Sequence, residues 1–148
     1  MIEKFFDGLR NRKSVRGIAL VDNSGEIRDI YVRSRNEGTR LTKIVGQILP
    51  LLAVSERIDK QLNEAILVLD DAEIVVFNQD RLVVILTAEA GEDISLLRLY
   101  LEVSIQEMLT HRRIKRKLNK WPPRKSDYFL PKKANAEDME LLQKFLKK

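Results

Sequence analysis

Apolar residues at Ile2, Phe5, Phe6 and Leu9 recur at helical spacing, with Asp7 and Gly8 pointing away, and predict a short amphipathic helix over residues 2–12. The pattern then changes. Val15 to Val21 and Glu26 to Arg33 are rich in β-branched and large apolar side chains, and Asp22-Asn23-Ser24-Gly25 between them has the composition of a tight turn, so the pair predicts a β-hairpin. Asn36 is the expected N-cap of a second helix from about Glu37 to Asp59, with Glu37 favourably placed near the positive end of the helix dipole.

Three apolar runs follow, Ala65 to Leu69, Ile74 to Phe77 and Leu82 to Leu86, joined by the short polar links Asp70-Asp71-Ala72 and Asn78 to Arg81. A parallel crossover needs a dozen or more residues, so links this short predict an antiparallel meander. From Gly91-Glu92-Asp93 a long helix is expected to run to about Leu118, burying Ile94, Leu97, Leu101, Ile105 and Met108, and Pro122-Pro123 closes it. A last amphipathic stretch, residues 137–146, predicts a short terminal helix. The fold class is therefore α/β (α+β): a five-stranded antiparallel sheet flanked by helices in the order α-ββ-α-βββ-α, with the third strand at a sheet edge.

The second helix carries the most information. Leu41, Ile44, Val45, Ile48, Leu49, Leu51, Leu52, Val54 and Ile58 cover an arc of roughly 200° on a helical wheel, about twice what one sheet face takes up. Lys43, Gly46, Pro50 and Arg57 fill the remaining strip. The surplus apolar arc is expected either against another helix of the same chain or against a second copy.

A length of 148 residues fits one domain with one core. The apolar fraction of 44% places the chain among folded proteins rather than disordered ones. With no cysteine, disulfides, thiolate metal sites and cysteine nucleophiles are excluded. Charged residues interrupt the N-terminal segment, and the longest apolar run, Ile48 to Val54, falls far short of the ~20 residues of a membrane span, so a soluble, cytoplasmic protein is expected.

Charge is unevenly distributed. Residues 111–133 hold Arg112, Arg113, Lys115, Arg116, Lys117, Lys120, Arg124, Lys125, Lys132 and Lys133 against Asp127 alone, whereas residues 1–110 carry 14 basic and 18 acidic residues. The chain accordingly divides into a body at 1–112 and a basic extension at 113–148, and truncation after about Lys120 is expected to leave a folded dimer. Arg112, Arg113, Lys115, Arg116, Lys117, Lys120, Arg124 and Lys125 are candidate anion-binding residues. Trp121, Tyr128 and Phe129 among them are compatible with packing back on the body, with contact to an acidic protein or anionic lipid, or with stacking on nucleic acid.

Catalytic chemistry is sparse. Neither a P-loop nor a dinucleotide-binding glycine motif occurs, and the single histidine, His111, has no second histidine for a metal pair or a triad. Asp70-Asp71 is compatible with paired carboxylates but reads more simply as a solvated turn. Arg40, Arg57 and Arg81 are the arginines considered as charge stabilisers supplied to a partner enzyme. No enzyme activity, cofactor or metal is expected.

Several segments resemble the Roadblock family, which includes the dynein light chains of that name and prokaryotic regulators of Ras-like GTPases. They are GIALVDNSGEI at residues 17–27, LTKIVGQILPLL at 41–52, VLDDAEIVVFNQDRLVVILTAEA at 68–90 and LLRLYLEVSI at 96–105, and the resemblance covers about residues 1–112. It implies a homodimer, or a pair with a related protein, in which the strand at Ala65 to Leu69 pairs with its copy and the second helices meet on one face. It also implies a non-catalytic scaffold that binds a small Ras-like GTPase. The expected dimer or partner interface is Leu41, Ile44, Val45, Ile48, Leu49, Leu52, Ile66, Leu67 and Val68. The basic extension lies outside the family pattern, and the alternative function is a dimeric adaptor that binds nucleic acid or anionic membrane through it.

Overall fold

The computed structural model describes residues 1–57, 63–91 and 93–123, with the side chains of residues 56 and 57 excepted. The terminal helix expected at 137–146, and Arg124, Lys125, Tyr128 and Phe129, lie outside the described residues. In chain order the elements are α1 (Ile2–Phe5), α2 (Asp7–Arg10), β1 (Val15–Val21), β2 (Ile27–Val32), α3 (Arg35–Arg57), β3 (Glu64–Val68), β4 (Ala72–Asn78), β5 (Val83–Glu89), α4 (Ile94–Thr110) and α5 (Arg112–Asn119). The five strands form one antiparallel sheet in the order β2-β1-β5-β4-β3.

Alternation along the three central strands divides the core in two. Because successive strand side chains point to opposite faces, Ala19, Val21, Ile74, Val76, Val83 and Ile85 face α3, whereas Ile18, Leu20, Val75, Phe77, Val84, Leu86 and Ala88 face the other helices. The sheet is thus the middle of three layers. Gly17 allows α3 to seat closely on β1, since a Cβ there would lie 3.0 Å from the Leu41 side chain and 3.1 Å from the Tyr31 carbonyl oxygen. Gly25, at φ +91°, supplies the left-handed position of the β1–β2 turn.

Three elements depart from the sequence-based expectation. The first helix is two single turns broken at Phe6, a break that leaves Ile2, Phe6 and Leu9 all buried. α3 starts at Arg35, and the Ser34 carbonyl accepts the Gly38 N–H at 3.3 Å, so Asn36 is an exposed residue of the first turn rather than the cap. The long helix expected to reach Leu118 ends at Thr110, where His111 takes an extended conformation (ψ 125°) and α5 begins in a new direction. The reason lies in the helical period. A straight continuation would turn Ile114 and Leu118 roughly 90–140° away from the Leu97, Leu101, Ile105 and Met108 stripe, whereas after the break both are buried in the same core as that stripe.

The core also runs past residue 112. Ile114, Leu118 and Trp121 belong to it, so the part of the basic extension up to Trp121 packs on the body instead of hanging from it.

Candidate partner interface

Among the described residues β3 is an edge strand bonded only to β4. The Asn78 N–H donates to the Asn63 carbonyl and the Leu69 N–H to the Ala72 carbonyl, each at 2.8 Å. With the Glu64↔Phe77 to Val68↔Glu73 register between them, the groups of Ala65 and Leu67 are spent on β4. Glu64, Ile66 and Val68 therefore aim their N–H and C=O groups out of the sheet. Such an edge accepts another strand, and native proteins normally blunt it with charge or proline. Here it carries Ile66 and Val68, the latter 64% exposed, with Leu69 also exposed at its end. The charged residue of the strand, Glu64, is engaged by a two-pronged ion pair with Arg98 of α4 (Arg98 Nη2 to Glu64 Oε2, 2.9 Å).

The expected interface residues separate into two groups. Ile66 and Val68 lie open at the edge, and Leu67 is half-buried towards α3. Leu41, Ile44, Val45, Ile48, Leu49 and Leu52 of α3 instead pack against their own sheet and are all buried, so these six side chains are core and offer no surface to a partner. The sheet itself covers these six. Beyond the exposed Arg35, Asn36 and Thr39 near its start, the surface that α3 presents is Thr42, Lys43, Gly46 and Gln47, with Pro50 half-buried beside them.

The arginines considered as charge stabilisers have other partners. Arg40 donates to Asp71 at 2.8 Å, a bond that holds the Asp71 carboxyl below its ordinary range. Arg81 donates to the Trp121 carbonyl at 2.7 Å. The side chain of Arg57 is not described.

A junction that sequence reasoning missed closes one end of the sheet. Asp22 is completely buried, yet accepts bonds from the Ser24 hydroxyl (2.6 Å), the Ser24 and Glu26 N–H groups (2.8 and 3.1 Å) and Arg28 Nε (2.6 Å). Burial pushes its pKa up, but the hydrogen bonds from Ser24, Arg28 and the two backbone groups outweigh this and hold the carboxyl below 3.8. Asn23, also buried, donates to the carbonyls of Asp80 (2.8 Å) and Pro122 (3.1 Å), and the Arg28 guanidinium lies 5.3 Å over the Trp121 ring. Two turns and the end of α5 are thereby tied together. In the sequence, Asp22-Asn23 signals only a turn, since nothing local marks Trp121 as its distant partner.

The candidate anion-binding residues Arg112, Arg113, Lys115, Arg116, Lys117 and Lys120 are exposed on or just after α5. Among the described residues no cluster of three His, Asp or Glu side chains is placed to hold a metal ion, and no helix is long and apolar enough to cross a membrane.

No protein-family model matches the sequence, and no curated protein matches it. Solved structures match through the fold. A Roadblock/LC7 domain from Streptomyces avermitilis aligns over 70% of this chain and 91% of its own, at 12% identity and a TM-score of 0.56. The gliding protein MglB from Thermus thermophilus aligns over 78% of this chain and 88% of its own, at 14% identity and a TM-score of 0.58. An MglB solved in a tetrameric arrangement aligns over 78% and 90%, at 12% identity and a TM-score of 0.58. At such identities the likeness is one of architecture. A five-stranded antiparallel sheet between two helical layers, with its third strand at the edge, gives this chain the Roadblock fold.

Proposed function

We propose that this protein is a non-catalytic, dimeric scaffold that binds a small Ras-like GTPase and regulates or positions it in the cytoplasm. The observation that carries the reading is the open edge of β3, where Glu64, Ile66 and Val68 turn hydrogen-bonding groups outward and Ile66 and Val68 expose apolar side chains. Strand addition at that edge would satisfy those groups and cover the side chains together. The Roadblock resemblance supplies the occupant, a copy of this chain or of a related one, and the GTPase as client. The MglB solved as a tetramer supports assembly as a habit of the fold.

Val68→Pro is the decisive variant, because it removes only an outward-facing N–H and leaves the β3–β4 ladder intact. The wild type is expected to be dimeric by light scattering at tens of micromolar, with slow amide exchange at Ile66 and Val68, and to retain a Ras-like GTPase from source lysate in a nucleotide-dependent way. Val68→Pro should be a folded monomer that loses the GTPase. A monomeric wild type overturns sheet continuation, and retention of the GTPase by the monomeric variant removes dimerisation from the mechanism.

A further inference from the structure

Six arginines of the body are matched by carboxylates: Arg10 with Asp7, Arg16 with Glu37, Arg28 with Asp22, Arg33 with Glu89, Arg40 with Asp71 and Arg98 with Glu64. α5 is built differently. Arg112, Arg113, Lys115, Arg116, Lys117 and Lys120 are exposed, the segment from 112 to 120 contains no acid, and none of the six forms an ion pair among the described residues.

The arrangement is internally unfavourable. Arg112 and Arg116, and Arg113 and Lys117, are like charges one turn apart, which repel on a helix surface. Arg112 and Arg113 also occupy the first turn, where the helix dipole opposes cations. Ile114 and Leu118, together with Trp121 beyond the helix, anchor the segment to the core in spite of this. A local conflict held in place by packing is what a binding surface looks like before its counter-charge arrives.

A second feature lies on the same side of the sheet. α4 and α5 meet at His111 and pack on one sheet face. Leu99 and Val103, one turn apart on α4, point away from that face and are 51% and 50% exposed. Tyr100 is exposed beside them, with the Arg12 guanidinium 5.2 Å from its ring. Lys4 extends the cationic surface past His111, its Nζ lying 3.2 Å from the imidazole Nε2, and Glu107 is the exposed carboxylate of α4.

We infer that the outer surface of α4 and α5 docks on a bilayer of anionic lipid, with α5 against the headgroups and Leu99 and Val103 entering the headgroup–acyl boundary. One observation chooses lipid over nucleic acid. Uncompensated cations suit either polyanion, but two outward aliphatic side chains gain only from an apolar layer, which a bilayer has and a phosphodiester surface lacks. The docking face is the sheet's opposite side from α3, so lipid and a partner strand at β3 are not in competition by layer.

The test is co-sedimentation of the full chain with phosphatidylcholine vesicles, with and without about one-third phosphatidylserine, beside a duplex oligonucleotide titration. Two variants confined to exposed positions keep the fold, as matching melting curves check: Arg113→Glu/Arg116→Glu/Lys117→Glu and Leu99→Ser/Val103→Ser. The wild type should bind only the anionic vesicles, less tightly as salt is raised. The triple charge variant should bind about a hundredfold more weakly, at about fivefold per cation, and the Leu99/Val103 variant about tenfold more weakly. Failure to bind anionic vesicles, or binding that neither variant alters, overturns the inference. Vesicle binding lost with α5 but indifferent to Leu99 and Val103 overturns the two-helix surface. Oligonucleotide binding as tight as vesicle binding, and equally dependent on α5, would assign the surface to nucleic acid instead.

Discussion

Asp22 concentrates more of the molecule's polar chemistry than any residue at the partner edge. A buried carboxylate is tolerated only when paired and hydrogen-bonded, and this one has Arg28 and three bonds from Ser24 and Glu26. Asp22→Asn removes the charge opposite Arg28 and is expected to lower stability by about 2 kcal/mol. Its pH dependence follows from the sign of the shift. The folded-state pKa is depressed below the ordinary 3.8, so the carboxylate's contribution is complete above the unfolded value and disappears as pH falls through the folded one. Urea melts at pH 7 and pH 3 check this: the gap between wild type and Asp22→Asn should be narrower at pH 3 than at pH 7. Trp121, 4% exposed at the far side of the same junction, anchors the chain after α5. Trp121→Ala should cost about 3–5 kcal/mol, measured in the same way.

At the scale of elements, what the sequence discloses depends on how local the cause is. Strand alternation and turn residues act within a few positions, so the hairpin at Val15 to Val32, the meander and the edge position of the third strand could be read directly. The break at His111 could not, because it is set by which side of α5 must meet the core. The apolar arc of α3 misled for a related reason. Width on a wheel does not reveal how deeply a helix is seated, and α3 seats its central apolar residues against one sheet face. Of the candidate partner residues, Ile66 and Val68 of β3 are thus exposed, whereas the six on α3 are buried against their own sheet. Gly46 probes the surface that α3 does present, since a Cβ there meets nothing within 4 Å. Gly46→Ala is expected to stabilise the fold by roughly 1 kcal/mol in thermal or urea melts, and a loss instead would reveal a partner's backbone lying against this position. α5 behaves as part of the body: a chain ending at Thr110 forfeits the burial of Ile114, Leu118 and Trp121, at roughly 1.5–3 kcal/mol for each aliphatic side chain and more for tryptophan. With typical domain stability of about 5–15 kcal/mol, that chain should melt without cooperativity, whereas a chain ending at Lys120 keeps Ile114 and Leu118 and forfeits Trp121 alone of the three.

As a whole, the molecule presents an open sheet edge at β3, the polar outer face of α3 on one side and a basic α5 on the other. If β3 pairs with a second copy, its melting temperature should rise with protein concentration, as binding to the folded state requires, whereas Val68→Pro should melt independently of concentration. The sheet order carries one more consequence, for synthesis rather than for the finished protein. β1 sits near the centre between β2 and β5, and its register with β5 runs from Val15↔Ala88 to Val21↔Val83, joining residues 73 to 62 positions apart. The first hairpin therefore leaves the ribosome long before the strand that covers its inner edge exists. At roughly 5–20 residues per second that wait is roughly 3–15 s, during which an edge destined for the interior stays open to solvent and to neighbouring nascent chains. Slowing translation between β2 and β5 should therefore raise aggregation of this protein even though every contact of its native state is unchanged.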